Sequence, residues 1–197
     1  MSALPKRYFT QEEYAMLEEK AKYKSQYVAG EIFAMAGAQP AHLEISHNLN
    51  GMLYVRFRGR PCRAYSLDAK VRVRAGELWT YPDAVAFCGE PRFDESAKPY
   101  SLLNPQVIFE VLSPSTADFD RGDKFTRYQR LESFTDYVLI DTERMRVEHY
   151  VRQEAGGWLY HEYHDDADVL KLISIDAELP LAEIYERVVF PTPGEDG

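Results

Sequence analysis

The chain has 197 residues, enough for one domain with a substantial core. Its 45% hydrophobic and 13% aromatic content excludes a disordered chain. No apolar run approaches the roughly 20 residues of a membrane span, and Met1 to Arg7 lacks the apolar core of a secretory signal, so a cytoplasmic protein is expected. The formal charge of −9 argues against a nucleic-acid partner until its distribution is read. Residues 1–153 carry 21 basic and 21 acidic side chains, whereas residues 154–197 carry 2 basic against 11 acidic. Within residues 54–74 the balance reverses: Arg56, Arg58, Arg60, Arg63, Lys70, Arg72 and Arg74 face only Asp68. That segment is either a phosphate-holding surface or an ordinary solvated face.

Thr10 to Glu13 fits a capping box, with Thr10 as N-cap and Glu13 three residues on. Tyr14, Leu17 and Ala21 then give the apolar stripe of a first helix reaching about Lys24. Tyr27 to Met35 reads as a strand or hairpin around Ala29-Gly30. Pro40 suits the first turn of a second helix; its Ile45, Leu49, Met52 and Leu53 recur at helical spacing, and Gly59 ends it. Cys62 to Tyr65 is a short strand. Cys62 and Cys88 lie far apart without metal-ligand spacing and are expected as two buried free thiols. Ala69 to Arg74 alternates apolar and charged, the pattern of a half-exposed strand. Ala75-Gly76-Glu77 turns the chain and Leu78 to Phe87 returns it, with Pro82 marking a kink or an edge.

Gly89 to Asn104 is polar and broken by prolines, a long loop. Gln106 to Leu112 is apolar apart from Glu110, a central strand. Arg121 to Glu132 is helical, with Phe125, Tyr128 and Leu131 on one face. Asp136 to Asp141 and Arg146 to Arg152 are the next strands, Gly156-Gly157 turns into a strand from Trp158 to His164, and Val169 to Ile175 is the last strand. Leu179 to Arg187 is a short helix. The organisation is one domain over residues 1–190 with a disordered tail over 191–197.

Chemistry concentrates between Tyr81 and Tyr128. Asp83 follows a proline and opens the apolar run Ala84 to Phe87, so it is a turn aspartate or a ligand at a strand end. Glu110 lies amid Val107, Ile108, Phe109, Val111 and Leu112, where a carboxylate needs a cation or a raised pKa. A buried pair with a lysine or arginine answers that need, and so does a metal. Lys124 falls four residues after Asp120 and four before Tyr128, on one helix face; it is part of the site or an exposed salt bridge. Two carboxylates plus a lysine suit phosphodiester hydrolysis, because hard oxygen ligands bind Mg²⁺ and a lysine orients or deprotonates water, or stabilises departing charge. His161 to His164 has the wrong spacing for a zinc-protease helix, and Ser113 and Ser115 stand in no nucleophile elbow.

Tyr81-Pro82-Asp83, Phe109 to Thr116, and Asp120 to Lys124 with Tyr128 together resemble the Uma-type restriction endonuclease family, long described as a domain of unknown function, within the PD-(D/E)XK nuclease superfamily. Gly30-Glu31-Ile32, Ala34 to Ala38, His42, Cys62 to Asp68 and Asp136 to Ile140 also match, and the resemblance covers roughly residues 8–187. It implies an α/β fold (an α+β mixed sheet) with a restriction-endonuclease-like core, helices flanking the sheet. It also implies Mg²⁺, with Mn²⁺ as substitute, held by Asp83 and Glu110, and DNA as the nucleic-acid partner. The superfamily places its lysine two residues after the acid, at Leu112 here, so Lys124 is the candidate. Many relatives carry Glu at Gln26 and Asp at Ala29.

Accessory candidates are His42, Glu31, Gln26, Asp120 and Tyr128, with Arg56, Arg58, Arg72 and Arg121 as phosphate contacts. His42 is equally explained as a helix-start histidine with local hydrogen bonds, and Glu31 as an exposed strand residue. A homodimer is expected for two-strand cleavage, with the aromatic Trp158-to-Tyr163 strand as interface or core. The competing readings are a nucleic-acid-binding module that has lost cutting, which Gln26 and Ala29 motivate, and a regulatory domain, which the acidic C-terminal stretch motivates.

Overall fold

The structure is a computed structural model that describes residues 7–35, 37–66, 68–74 and 77–191. Its strands run, in chain order, β1 (Ser25–Val28), β2 (Glu31–Ala34), β3 (Cys62–Ser66), β4 (Val71–Val73), β5 (Leu78–Thr80), β6 (Ala84–Cys88), β7 (Phe93–Asp94), β8 (Ser101–Leu102), β9 (Val107–Leu112), β10 (Asp136–Asp141), β11 (Val147–Arg152), β12 (Trp158–Tyr163), β13 (Val169–Leu172) and β14 (Ala177–Pro180). The helices are α1 (Gln11–Lys20), α2 (Pro40–Phe57), α3 (Ala117–Phe119), which continues through a π turn at Asp120–Lys124 into α4 (Phe125–Tyr128), and α5 (Leu181–Ile184). None of the described helices is long and apolar enough to cross a membrane.

The strands form a main mixed sheet in the order β12-β11-β10-β9-β6-β3 and a second sheet in the order β2-β1-β5-β4-β8-β7, with β13 and β14 pairing separately. Every residue of β9 and β10 is buried, because both faces of the main sheet are covered. Strand alternation divides the apolar side chains. Val107, Phe109 and Val111 join Val138 and Ile140 under α2, α5 and the β13–β14 pair. Ile108 and Leu112 join Tyr137 and Leu139 on the opposite face, with Tyr128 and second-sheet residues Val71, Val73 and Leu78. Glu110 shares the parity of Ile108 and Leu112. β9 and β10 are parallel, so the chain must cross over between them, and residues 117–128 are that crossover.

Local signals hold where they are strong. Thr10 and Glu13 form the capping box, with bonds of 3.1 and 2.8 Å. In α2, Pro40 stands in the first turn and Ile45, Leu49, Met52, Leu53 and Phe57 are buried. Gly59 follows at φ +74°, where a side chain would be strained.

Several expectations are overturned. α1 stops at Lys20, and it buries Tyr14 and Glu18 while Leu17 stays exposed. Glu18 is drawn inward because it accepts bonds from Ser25 at 2.6 Å and Tyr81 at 2.8 Å. Leu78 to Phe87 is not one strand: β5 belongs to the second sheet and β6 to the main one, and Tyr81-Pro82-Asp83 is the corner between them. Pro82, lacking a donor, marks the end of pairing. The expected loop over residues 89–104 contains β7 and β8, too short to show periodicity. β13 ends at Leu172 and returns as β14, and the last helix is confined to α5. The helix expected over 121–132 begins earlier and contains the π turn.

Of the charged face of residues 69–74, only Arg74 is solvated. Lys70 is 1% exposed, with its amine 4.5 Å from the ring centre of Tyr14, 4.9 Å from that of Trp79 and 3.8 Å from Glu18. Cys62 and Cys88 are not free thiols: they are cross-strand partners in β3 and β6 and form a disulfide. Their 26-residue separation conceals a pairing that only the strand register creates. The turn at Ala75-Gly76 and the tail from Thr192 onward lie outside the described residues.

Candidate active site

The register of β6 on β9 pairs Ala84 with Phe109, so Asp83, one residue earlier, arrives beside Glu110 and Val111. Asp83 Oδ2 accepts a hydrogen bond from the Val111 amide at 2.7 Å. His42, in the first turn of α2, places Nε2 at 3.1 Å from Asp83 Oδ1. Burial lowers the His42 pKa, but the hydrogen bond and charge of Asp83 outweigh it and raise the imidazole above its ordinary value.

Across the sheet face, the crossover helix supplies the cation. Lys124 Nζ lies 2.8 Å from Glu110 Oε1 and 3.0 Å from Asp120 Oδ1. Tyr128 donates its hydroxyl to the same Glu110 oxygen at 2.9 Å, and Tyr137 donates to the Asp120 carbonyl at 3.0 Å. Glu110, Asp120, Lys124 and Tyr128 are all buried. Lys124 closes the π turn, a widened turn of a kind frequent at functional sites. Burial pushes the Glu110 carboxyl upward, with the help of Asp120 and Asp83, while the Lys124 ammonium pulls it back toward the ionised form. For Lys124, burial alone would lower the pKa; Glu110 and Asp120 reverse this and hold the ammonium above the usual lysine range. Lys124 is thus held as an ammonium that donates to both carboxylates.

The donor set fits a hard divalent cation. Both bonds to Glu110 end on Oε1; among the described residues no hydrogen bond reaches Oε2. Asp83 keeps 23% of its side chain exposed, so the two acids form a half-open pair. No group of three or more His, Cys, Asp or Glu side chains among the described residues converges on one point. Mg²⁺ needs no such cage, because it takes one or two carboxylates and retains water.

Residues 11–182 match the Uma2 family model, whose description is "Putative restriction endonuclease". The chain belongs to the Uma2 family. Two uncharacterized proteins of Synechocystis sp. (strain ATCC 27184 / PCC 6803 / Kazusa) are similar along most of their length. One, sll1609, is 35% identical over 153 residues, covering 78% of this chain and 86% of its own. The other, slr1290, is 32% identical over 179 residues, covering 91% and 92%. The fold is shared with a crystal structure described as a putative nuclease belonging to DUF820 from Anabaena variabilis ATCC 29413. Its TM-score is 0.73 at 18% identity, over 90% of this chain and 98% of that one.

In this Uma2 chain Leu112 is 3% exposed and part of the apolar core, while Lys124 reaches Glu110 from the helix above the same face. The structure thus gathers Asp83, Glu110, Lys124, His42, Asp120 and Tyr128. It does not gather the rest. Gln26 lies in β1 of the second sheet and accepts a bond from Thr80 at 3.1 Å. Glu31 opens β2, opposite Val28. Ala29 occupies the hairpin turn at φ +46°, a conformation in which Asp is commoner than Ala. Arg56 bonds the Glu178 carbonyl and pairs with Glu183 at 3.1 Å. Arg72 is spent on Asp94 and on Gln11 at 2.8 Å, and Arg121 on Glu148 at 2.7 and 2.9 Å. Arg58, just past α2, is exposed. Sequence reasoning missed the Val111 amide and Tyr137, because only strand register and packing bring them to the acids.

Proposed function

We propose that this protein is a metal-dependent endonuclease that hydrolyses phosphodiester bonds in DNA. The observation that carries the reading is the convergence of Asp83, at the β5–β6 corner, and Glu110, in β9, with a buried, doubly paired Lys124. Asp83 and Glu110 are the residues that would hold Mg²⁺, or Mn²⁺ in its place. When bound, that ion supplies a Lewis acid that draws charge from a phosphodiester oxygen and makes water more acidic. The chain's own residues do the rest. The Val111 amide and His42 orient the Asp83 carboxylate. Tyr128 and Lys124 fix the Glu110 carboxylate through one oxygen. The Lys124 ammonium adds a positive charge in a site of low dielectric, where it stabilises the negative charge that grows during phosphoryl displacement.

The test is cleavage of supercoiled plasmid and of single-stranded DNA with Mg²⁺ or Mn²⁺, against chelator. Asp83→Asn and Glu110→Gln should each lower the rate by about 100-fold or more, a loss of roughly 3 kcal/mol of transition-state stabilisation. Cutting that persists in chelator, or in both variants, sinks the reading. A second reading, a nuclease-fold binder that no longer cuts, is favoured by Gln26, an amide where the family resemblance implies an acid, bonded here to Thr80. It predicts no cleavage with either metal, and salt-sensitive DNA binding that survives Asp83→Asn.

Two-strand cleavage would be served by a homodimer. The support is β12, an edge strand with Leu159 and Tyr160 exposed. Sedimentation equilibrium would reject that assembly by a monomer mass at micromolar concentration.

A further inference from the structure

Resting on the nuclease reading above, we propose that a cavity beside the two acids receives an unpaired nucleobase of the substrate. The strand would then be cut where it is single-stranded, or where a base has been turned out of a duplex. The cavity has a volume of about 410 Å³ and is lined by Tyr65, Ser66, Asp68, Phe93, Tyr100 and Leu102.

Its place follows from strand register. Ser66 is the β3 partner of Ala84, the residue after Asp83. Tyr65 packs into the core that contains Ile108 and Leu112, the two neighbours that share the face of Glu110. The cavity therefore lies at the β3 edge of the main sheet, beyond β6 from the strand that carries Glu110, with Tyr65 and Leu102 on the Glu110 face and Ser66 on the opposite one.

The lining identifies the ligand chemistry. Phe93 and Tyr100 are 41% and 47% exposed, large rings uncovered at the rim of a cavity. The Tyr65 ring is held edge-on by Phe87 at 5.2 Å. Among the described residues no arginine lines the cavity, and its lysine, Lys70, has its amine turned into the Tyr14 and Trp79 rings and toward Glu18. Its acid, Asp68, is paired with Lys24 at 2.5 Å. A phosphate would meet a carboxylate and no available cation. A base would find π faces to stack on, with the Ser66 hydroxyl and the Asp68 carboxylate accepting from its exocyclic amino groups. A base stacked and paired inside a duplex cannot reach such a wall, whereas an unpaired or extruded one can.

Fluorescence anisotropy in chelator at low salt tests this with three labelled probes: a single strand of mixed sequence, an abasic strand of the same length, and the matching duplex. The ordinary strand should bind ~5- to 150-fold more tightly than the abasic one, the range that stacking of one base covers. Phe93→Ala with Tyr100→Ala should erase that difference, and Phe93→Trp or Tyr100→Phe should keep it. Both rings are exposed, so the core survives the truncation, and circular dichroism verifies this. A duplex carrying 2-aminopurine separates the two sources: its fluorescence rises on binding if a base is extruded and stays flat if the cavity is filled only from single strands. Equal affinity for ordinary and abasic strands, or full discrimination in the double alanine variant, overturns the cavity assignment while leaving the nuclease reading standing. Absence of binding to every probe overturns the cavity assignment, and cleavage with Mg²⁺ or Mn²⁺ decides the nuclease reading separately.

Discussion

Lys124 answers two buried carboxylates at once, and its removal has a calculable consequence. Glu110 and Asp120 are 3% and 4% exposed, and Lys124 is the cation between them. Taking one partner from a buried ion pair costs about 3–5 kcal/mol, because the remaining charge stays buried without compensation. Lys124→Ala should therefore lower the unfolding free energy by that amount in chelator, read as a lower urea midpoint. Added Mn²⁺ should recover part of it, since a cation held by Glu110 restores some of the missing charge. An unaltered midpoint would show that the carboxylates shed their charge without the lysine. In the sequence, Lys124 was legible as a helix-face neighbour of Asp120 and Tyr128, because helical spacing determines such neighbours. Its bond to Glu110 was not, because that depends on how a crossover helix lies over a strand 14 residues earlier.

At the scale of elements, the second sheet carries a buried cation of its own. Burial lowers the Lys70 amine to about 8, against the pull of Glu18. Between about pH 8 and the ordinary value of 10.5, the unfolded chain thus binds more protons at this residue than the folded one. Stability rises with pH wherever that is so, by on the order of 3 kcal/mol over the window; below about pH 8 the amine is protonated in both states and the folded chain bears the full cost. Lys70→Met should abolish the rise, because the side chain no longer titrates. Urea unfolding at about pH 7.5 and about pH 10 compares the two proteins. The alternation of Val71, Arg72 and Val73 identified the strand, yet it put the charged face in water. The aromatic cover from α1 and β5 is a long-range fact that no local period contains. The same limit explains β14 and the disulfide, both products of pairing between segments, whereas α2 and β9 were legible because their own apolar patterns sufficed.

At the scale of the whole molecule, the two acids belong to different kinds of place. Glu110 is mid-strand in the main sheet. Asp83 stands on the corner where the chain passes from β5 in one sheet to β6 in the other, tethered to the first by Thr80 and to the second by its bond from Val111. The distance between the acids is thus a gauge of how the sheets are seated on each other. Loosening that seating by a fraction of an ångström would leave every strand paired and spoil the ligand geometry. Cleavage should accordingly fail at a urea concentration below the one that melts the secondary structure, the site acting as a fuse that opens before the fold does.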